Sequence, residues 1–450
     1  MSVTGVAVGE PLSTRRERVG WYFYDWANSA FPTTVVTVFL GPYLGDIADK
    51  AADAHGRVYP LGIPVAAGSL FPYTVSLSVL LTVFVLPVVG AVADRSAHKK
   101  RLLALFTYLS AGACVSLVFL TGTRYLLGAG LFLVANIGYG ATNVVYNSFL
   151  PQIAGPDERD RVSSTGWAIG YIGGGLLLAL NLVAVQVGSG PHDEHKATIA
   201  RLCLVSAGVW WAAFTTIPLV RLKDRPAVAG EHGGPVLTDG FVQLWHTLRE
   251  LRAYPLTLFF LVSYLVYNDG IQTVISQAAV YADKQLKLTQ TTQVATILMV
   301  QFLAFGGAML MGRIAARVGA WRTVLGSLVV WVVTLGIAYF LPVGRALPFM
   351  ALGLLIGLVL GGSQALSRSL FSQLIPHGRE AEYFGLYEIS SDGTSWLGPL
   401  LFGLTYQATG SYQYAIISLL VFFVFGFAGL AAVPMRRAIV AAGNEAPRLV

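Results

Sequence analysis

Twelve runs of mostly apolar residues, each long enough to cross a bilayer, occupy most of this 450-residue chain. A helix needs about 20 such residues to traverse roughly 30 Å of hydrocarbon. Six runs lie near 19–44, 70–93, 102–121, 125–150, 164–187 and 199–220, and six near 256–282, 293–316, 323–341, 346–374, 384–407 and 412–434. The stretch between the sixth and the seventh is polar: Arg221, Lys223 and Arg225, then a Gly/Pro-rich segment, then Arg249 and Arg252. Charged residues make up only 12% of the chain, half of the roughly 25% that a water-facing surface needs. The predicted fold class is therefore an all-α membrane protein with twelve transmembrane helices arranged as two six-helix bundles. Residues 1–220 form the first half, 221–255 a cytoplasmic linker with a short surface helix over Pro235–Arg252, and 256–450 the second half.

The net charge of +7 does not point to nucleic acid, because the basic residues sit in short clusters between apolar runs and not on one face. Their placement instead orients the chain. With the N-terminus inside, 21 Lys and Arg residues fall on one side and eight on the other, while Arg368 lies within a span. Both termini are thus expected to be cytoplasmic. Arg15, Arg16 and Arg18 precede an apolar stretch that contains Asp25 and Asn28 and lacks a small-residue cleavage site, so no removable signal is expected. Cys114 and Cys203 lie inside apolar runs and read as small buried hydrophobes; no Cys/His spacing suits a metal, and no cofactor is expected.

An internal repeat supports the division into halves. Gly90-Ala-Val-Ala-Asp94-Arg95-Ser-Ala-His-Lys99-Lys100 follows the second run, and Gly312-Arg-Ile-Ala-Ala316-Arg317-Val-Gly319-Ala-Trp-Arg322 follows the eighth, 222 positions later. Leu150-Pro151 and Ile375-Pro376 form a second pair, 225 apart. Duplicated halves are how many transporters build a central site that is reached alternately from each side.

The segment Gly90–Arg101 resembles the loop signature of the major facilitator superfamily, with Ala97 in place of its second glycine and His98 in place of its first basic residue. The second copy has Ala316 where the acid would stand but keeps Arg317, Gly319 and Arg322. Three further motifs narrow the resemblance: Tyr24-Asp-Trp-Ala-Asn-Ser-Ala-Phe31, Gly361-Gly-Ser-Gln-Ala-Leu-Ser-Arg-Ser369 and Gly378-Arg-Glu-Ala-Glu-Tyr-Phe-Gly-Leu-Tyr387. Together they are similar to the autophagy-related vacuolar amino-acid effluxer family, which has many bacterial members. The resemblance implies a twelve-helix transporter whose spans 1, 4, 7 and 10 line a cavity. For fungal members it implies amino-acid export from the vacuole; for this chain, a bacterial inner membrane is the expected location.

Polar groups within spans carry the candidate site, since a charge at mid-bilayer costs about 2.5–3.5 kcal/mol even on a lenient scale. Span 1 places Asp25, Asn28 and Ser29 on one face, read as a cavity or gate group. Span 4 carries a polar stripe of Asn136, Tyr139, Asn143, Tyr146 and Asn147, which suits either cavity lining or helix–helix hydrogen bonding. Span 7 offers Tyr264, Tyr267, Asn268, Asp269, Gln272 and Gln277; Asp269, roughly 20 Å into its helix, ranks first as a proton-binding group. Span 10 brings Gln364, Ser367 and Arg368, and span 11 places Glu388 and Asp392 one turn apart. Arg368 is expected to pair with Glu388 or Asp392, either as a structural lock, the preferred reading, or as a clamp on a substrate carboxylate. Asp94, with Arg95, Lys99 and Lys100 beside it, is expected at the cytoplasmic end of span 11, where a helix N-terminus favours an acid.

The glycines Gly166, Gly170, Gly173, Gly174 and Gly175 of span 5 approach the superfamily's antiporter motif but lack its proline, and read as close helix packing. Of the tryptophans, only Trp26 and Trp396 are placed near a site. No GxxxxGK[ST] loop is present, so a gradient must supply any energy. No HExxH or GxSxG constellation supports an enzyme. The expected function is a monomeric secondary transporter of small polar solutes, amino acids foremost, with protons as a possible second ligand. A drug or sugar carrier of the same superfamily is the alternative, as is a lipid handler, which would open a cleft between spans 5 and 8 or 2 and 11.

Overall fold

The computed structural model describes residues 13–188, 193–225, 249, 254–392 and 397–450. Among the described residues, ten helices are long and apolar enough to cross a membrane by themselves. They are span 2 (Leu70–Arg95), span 3 (Lys99–Ser116), span 4 (Tyr125–Asn147), span 5 (Arg159–Gly188) and span 6 (Asp193–Arg221). In the second half they are span 7 (Pro255–Val280), span 8 (Gln290–Val318), span 9 (Ala320–Tyr339), span 10 (Ala346–Ser372) and span 12, built from Tyr412–Ser418 and Leu420–Ala432. Span 11 is described as Glu380–Asp392 and Leu397–Thr409. The structure is consistent with twelve crossings.

Span 1 begins earlier and runs longer than its apolar stretch. It comprises Arg15–Asn28, a π-helical turn over Phe31–Phe39, and Leu40–Ala51. Pro32 causes the change of winding, because it has no N–H to return to Asn28 and its ring blocks a straight α-helix. Span 5 likewise starts five residues before its apolar run, drawing Arg159 and Asp160 into the helix. The expected surface helix over Pro235–Arg252 lies outside the described residues but for Arg249. A small antiparallel hairpin, Arg57–Val58 with Val65–Ala66, caps the opposite face after span 1.

Each bundle has its own apolar core. Phe260, Trp331, Phe371 and Phe423 belong to a cluster confined to the second half. The first half holds two: one around Phe31, Phe132 and Trp211, and one toward the basic face around Trp21, Tyr146 and Phe149. That last cluster also buries Ala381 of the other bundle, and half-buried Tyr171 of the first half packs against the second-half cluster. The outer surface is apolar, with Phe84, Leu105, Phe119, Val333 and Phe425 exposed, as hydrocarbon solvent allows. Between bundles, span 2 packs on span 11, and span 5 packs on spans 8 and 10.

Candidate functional site

A cavity of about 290 Å³ lies between the bundles, walled by spans 1, 4 and 5 on one side and 7, 8, 10 and 11 on the other. Asp25, Asn28, Asn143, Tyr146 and Asn147 line it from the first half, and Gln272, Gln364, Arg368 and Glu388 from the second. Exposed Thr37 and Ile275 line the wall facing away from the basic side. A second, largely apolar chamber of about 160 Å³ adjoins it and shares Thr37, Ile275, Gln301 and Leu360 with it.

Arg368 closes the cavity on the basic side. Its guanidinium is almost fully buried and reaches across the interface into the first bundle. Nε donates to Ser163 Oγ at 2.8 Å, Nη2 to the Ser163 carbonyl at 3.0 Å and to Asp25 Oδ2 at 3.3 Å, and Nη1 to Asn147 Oδ1 at 3.3 Å. The group stacks over Trp21 at 4.8 Å, Trp167 at 5.4 Å and Tyr146 at 5.7 Å. Tyr146 Oη donates to the same Asp25 oxygen at 2.7 Å. This corrects the expected pairing: the acid bonded to Arg368 is Asp25, not Glu388. Glu388 instead accepts from Asn147 Nδ2 at 2.8 Å, and the side chain of Asp392 lies outside the described residues. Depth along a helix measured how far in these groups sit, but not that the Arg368 face of span 10 turns toward spans 1 and 5.

The glycines of span 5 explain how the acid and the arginine meet. A Cβ at Gly166 would stand 2.5 Å from Asp25 Oδ2 and 2.7 Å from Trp21; at Gly170 it would meet Ser29 Oγ at 2.8 Å, and at Gly173 the Trp26 carbonyl at 2.5 Å. Bare backbone at these steps lets span 1 lie close enough for Asp25 to reach the interface. Trp26 does not line the cavity; it stacks on Trp210 at 5.5 Å, and Trp396 lies outside the described residues. Trp21 and Trp167, which the sequence reading did not place near a site, are the tryptophans at the arginine.

Toward the basic face a ladder of polar contacts continues the seal. Ser163 Oγ donates to the Ala365 carbonyl at 2.7 Å, Ser369 Oγ to Asp160 Oδ1 at 2.5 Å, and Arg159 Nη1 to the Ser372 carbonyl at 2.9 Å. At the other seam, Asp94 accepts the backbone N–H groups of Ala381 and Glu382 at 2.9 and 2.8 Å and holds Lys99 Nζ at 3.1 Å. Those amides open the N-terminal turn of span 11, where a carboxylate satisfies otherwise unbonded donors. Lys99 also donates to Ser148 Oγ at 3.3 Å, and the backbone of Lys100 to Asp224 Oδ1 at 2.9 Å; Arg95 ends the span 2 helix. Just before span 5, Glu158 accepts two bonds of 3.0 and 2.6 Å from Arg18 at the start of span 1, which hold its carboxyl below its ordinary range.

The span 7 residues divide. Gln272 lines the cavity, and Asn268 stands behind Gln364, accepting from its Nε2 at 3.0 Å while donating to the Ser391 carbonyl at 3.0 Å. Tyr267 Oη meets Ser367 Oγ at 2.6 Å. Asp269, the first-ranked proton group, does not line the cavity. It is fully buried, makes no well-formed side-chain hydrogen bond, and lies within reach of the Gly398 amide at the start of the second part of span 11. On Asn28 the structure adds a direct bond to Asn143 Oδ1 at 2.9 Å, tying spans 1 and 4 together beside the cavity.

The family model described as "Vacuole effluxer Atg22 like" matches residues 13–443. The chain belongs to this family. Over 424 residues it is 28% identical to the "Uncharacterized MFS-type transporter YxiO" of Bacillus subtilis, covering 94% of this chain and 95% of that one. It is 27% identical to "Autophagy-related protein 22" of Kluyveromyces lactis, covering 92% of each. Among solved structures, a bacterial homologue of the iron transporter ferroportin in an outward-facing state aligns with a TM-score of 0.65 at 14% identity, covering 92% of this chain and 98% of that one. FucP in the outward conformation aligns with a TM-score of 0.63 at 12% identity, covering 94% and 99%. These likenesses establish the fold. Family and fold are those of major facilitator superfamily transporters, integral in the membrane and multi-pass, and not those of enzymes.

Proposed function

We propose that this family member is a secondary transporter, active or facilitative, that moves amino acids across a membrane by rocking its two bundles about the central cavity. The observation that carries the reading is the composition of that cavity. Arg368 and Glu388, of opposite charge, line one polar end, and the adjoining chamber is apolar. A guanidinium suits a substrate carboxylate, a carboxylate suits an ammonium, and the chamber suits an apolar side chain. A sugar would use the polar end alone.

In this reading the structure is the state sealed at the basic face, and Arg368 is the lock. Opening that face requires Arg368 to leave Asp25 and Ser163, and a substrate carboxylate offers it a replacement partner. A cytoplasmic basic face, both termini inside, and the bacterial inner membrane complete the proposal, supported by the placement of the basic residues and the likeness to YxiO. The close packing of span 2 on 11 and span 5 on 8 favours a solute over a lipid entering from the side. The division into 1–220, 221–255 and 256–450 is retained as the mechanical unit of this motion.

The test is uptake of a panel of labelled amino acids into proteoliposomes, with and without an inward proton gradient, for the wild type, Arg368→Lys and Asp269→Asn. Saturable uptake of apolar amino acids that falls at least tenfold in Arg368→Lys supports the reading. No uptake of any amino acid overturns the substrate class. Gradient-driven uptake lost in Asp269→Asn assigns proton coupling to that residue; gradient-independent uptake in the wild type makes the protein a facilitator.

A further inference from the structure

On the basic face, apart from the central cavity, the start of span 9 and the corner after span 12 enclose a hollow of about 410 Å³. Arg322, Arg436, Arg437 and Arg448 line it, with half-buried Trp321 and buried Met435 as apolar wall. Among the described residues Arg322, Arg436 and Arg437 have no acidic partner within 4.0 Å, and Arg448 reaches Asp157 only at that distance. The end of the chain at Val450 also lines the hollow, with its main-chain oxygen lying against Gly319. Four exposed arginines around one concavity make a positive patch that draws an anion.

We propose that this hollow binds the headgroup phosphate of an anionic phospholipid. Its level in the bilayer selects that source of phosphate. The membrane-crossing part of span 9 begins at Ala320 and that of span 12 ends at Ala432, so the arginines stand at the boundary where headgroups lie. Trp321 spends its indole N–H on the Leu430 carbonyl at 2.9 Å, which leaves an apolar ring at that level. Exposed Val329 and Phe427 continue spans 9 and 12 into the hydrocarbon, as surface for acyl chains. The guanidinium fork matches the two free oxygens of a phosphodiester, which an ammonium does not.

The position also gives the ligand a consequence. The segment after span 12 is pinned to its own bundle, where Asn444 Nδ2 donates to the Gln373 and Ile375 carbonyls at 2.9 and 2.7 Å, and it reaches the other bundle through the Arg448 N–H, which donates to Asp157 Oδ1 at 2.8 Å. A headgroup in the hollow orders that segment against the sealed face.

The experiment is native mass spectrometry of the purified full chain with dioctanoyl phosphatidylglycerol, with dioctanoyl phosphatidylcholine, and with inorganic phosphate as competitor. The wild type is expected to retain one phosphatidylglycerol about tenfold more tightly than phosphatidylcholine. Arg322→Gln/Arg436→Gln/Arg437→Gln is expected to lose that preference. The control Arg101→Gln/Arg313→Gln/Arg317→Gln, which removes the same charge from exposed sites on the same face, is expected to keep it. Equal retention of the two lipids by the wild type, or equal loss in both triple variants, overturns a specific site. Displacement of phosphatidylglycerol by inorganic phosphate at equal concentration overturns the lipid source and makes this a free-phosphate site. Thermal midpoints of both triple variants within a few degrees of the wild type separate lost binding from lost folding.

Discussion

The two seams between the bundles carry copies of one loop sequence yet close by different chemistry. At the first seam, Gly90 lets span 11 come so near that a Cβ would stand 2.6 Å from the Ala381 carbonyl, and Asp94 then takes two helix-end amides. At the second, Gly312 faces the Ser164 side chain at 2.8 Å, and Ala316 stands where the acid would be. There the contacts come instead from Arg159, Asp160, Ser163 and Arg368, spread over about one turn of span 5 and about two of span 10. The two loop copies share the helix approach and not the polar seal. The first seam places one carboxylate on two helix-end amides, while the second distributes its bonds and centres them on a buried charge pair.

That difference can be broken most severely at the second seam. Arg368→Gln leaves Asp25 buried beside Tyr146 without its cation and is expected to cost the sealed state about 3–5 kcal/mol. Spin labels at positions 101 and 317, both exposed on the basic face, should report a population with that face open. Adding Asp25→Asn should restore much of the loss; an unchanged distance distribution in Arg368→Gln would remove Arg368 as the lock.

At the first seam, Asp94→Asn keeps the shape but loses the ion pair with Lys99 and one good amide acceptor, an effect of about 2–3 kcal/mol toward the open state. Substrate affinity measured with the basic face locked should stay unchanged. Wild-type cycling kinetics in Asp94→Asn would place the closure of this seam elsewhere.

A finer probe compares the glycines directly. Gly90→Ala drives a methyl into backbone and is expected to destabilise by about 1–3 kcal/mol, whereas Gly312→Ala meets one side chain, Ser164 Cβ at 2.8 Å and Oγ at 2.9 Å, of which only the hydroxyl can turn aside, and should cost about 1 kcal/mol. Equal losses in thermal midpoint would mean that the two approaches are equally rigid.

The smallest effect belongs to the opposite face, where polar contacts are exposed. The Asp53 carboxyl is held down to about 2 by the Tyr59 hydroxyl at 2.6 Å and then by the backbone N–H groups of Arg57 and His55. Because the folded value lies below the ordinary value of about 4, the hairpin contacts are complete above that pH and are lost as pH falls through about 2. Hydrogen exchange of the 53–59 amides should accelerate over that window in the wild type and be independent of pH-driven loosening in Asp53→Asn.

Much of the architecture was legible in order along the chain. Run length against bilayer thickness places the spans, and the Gly90 and Gly312 copies announce the two bundles. The span 5 glycines read as close packing, and Gly166 and Gly170 do lie against span 1. What was not legible is which side of each helix faces which neighbour. Asp269 and Gln272 are three residues apart on one helix, yet only Gln272 reaches the cavity. Ser163 and Asp160 carry no signal of their own, since a serine or acid near a helix start is ordinary until span 10 is laid against it.

The sequence by itself determined that this chain is a stack of membrane helices with a basic face, because hydrocarbon admits only internally bonded backbone and penalises charge at depth. Only the tertiary structure decided that Arg368 crosses the interface to Asp25, that Glu388 answers to Asn147, and that the cavity is sealed on the basic side. Those outcomes depend on helix rotation and bundle tilt. Both are set by packing among residues hundreds of positions apart, and no local pattern encodes either.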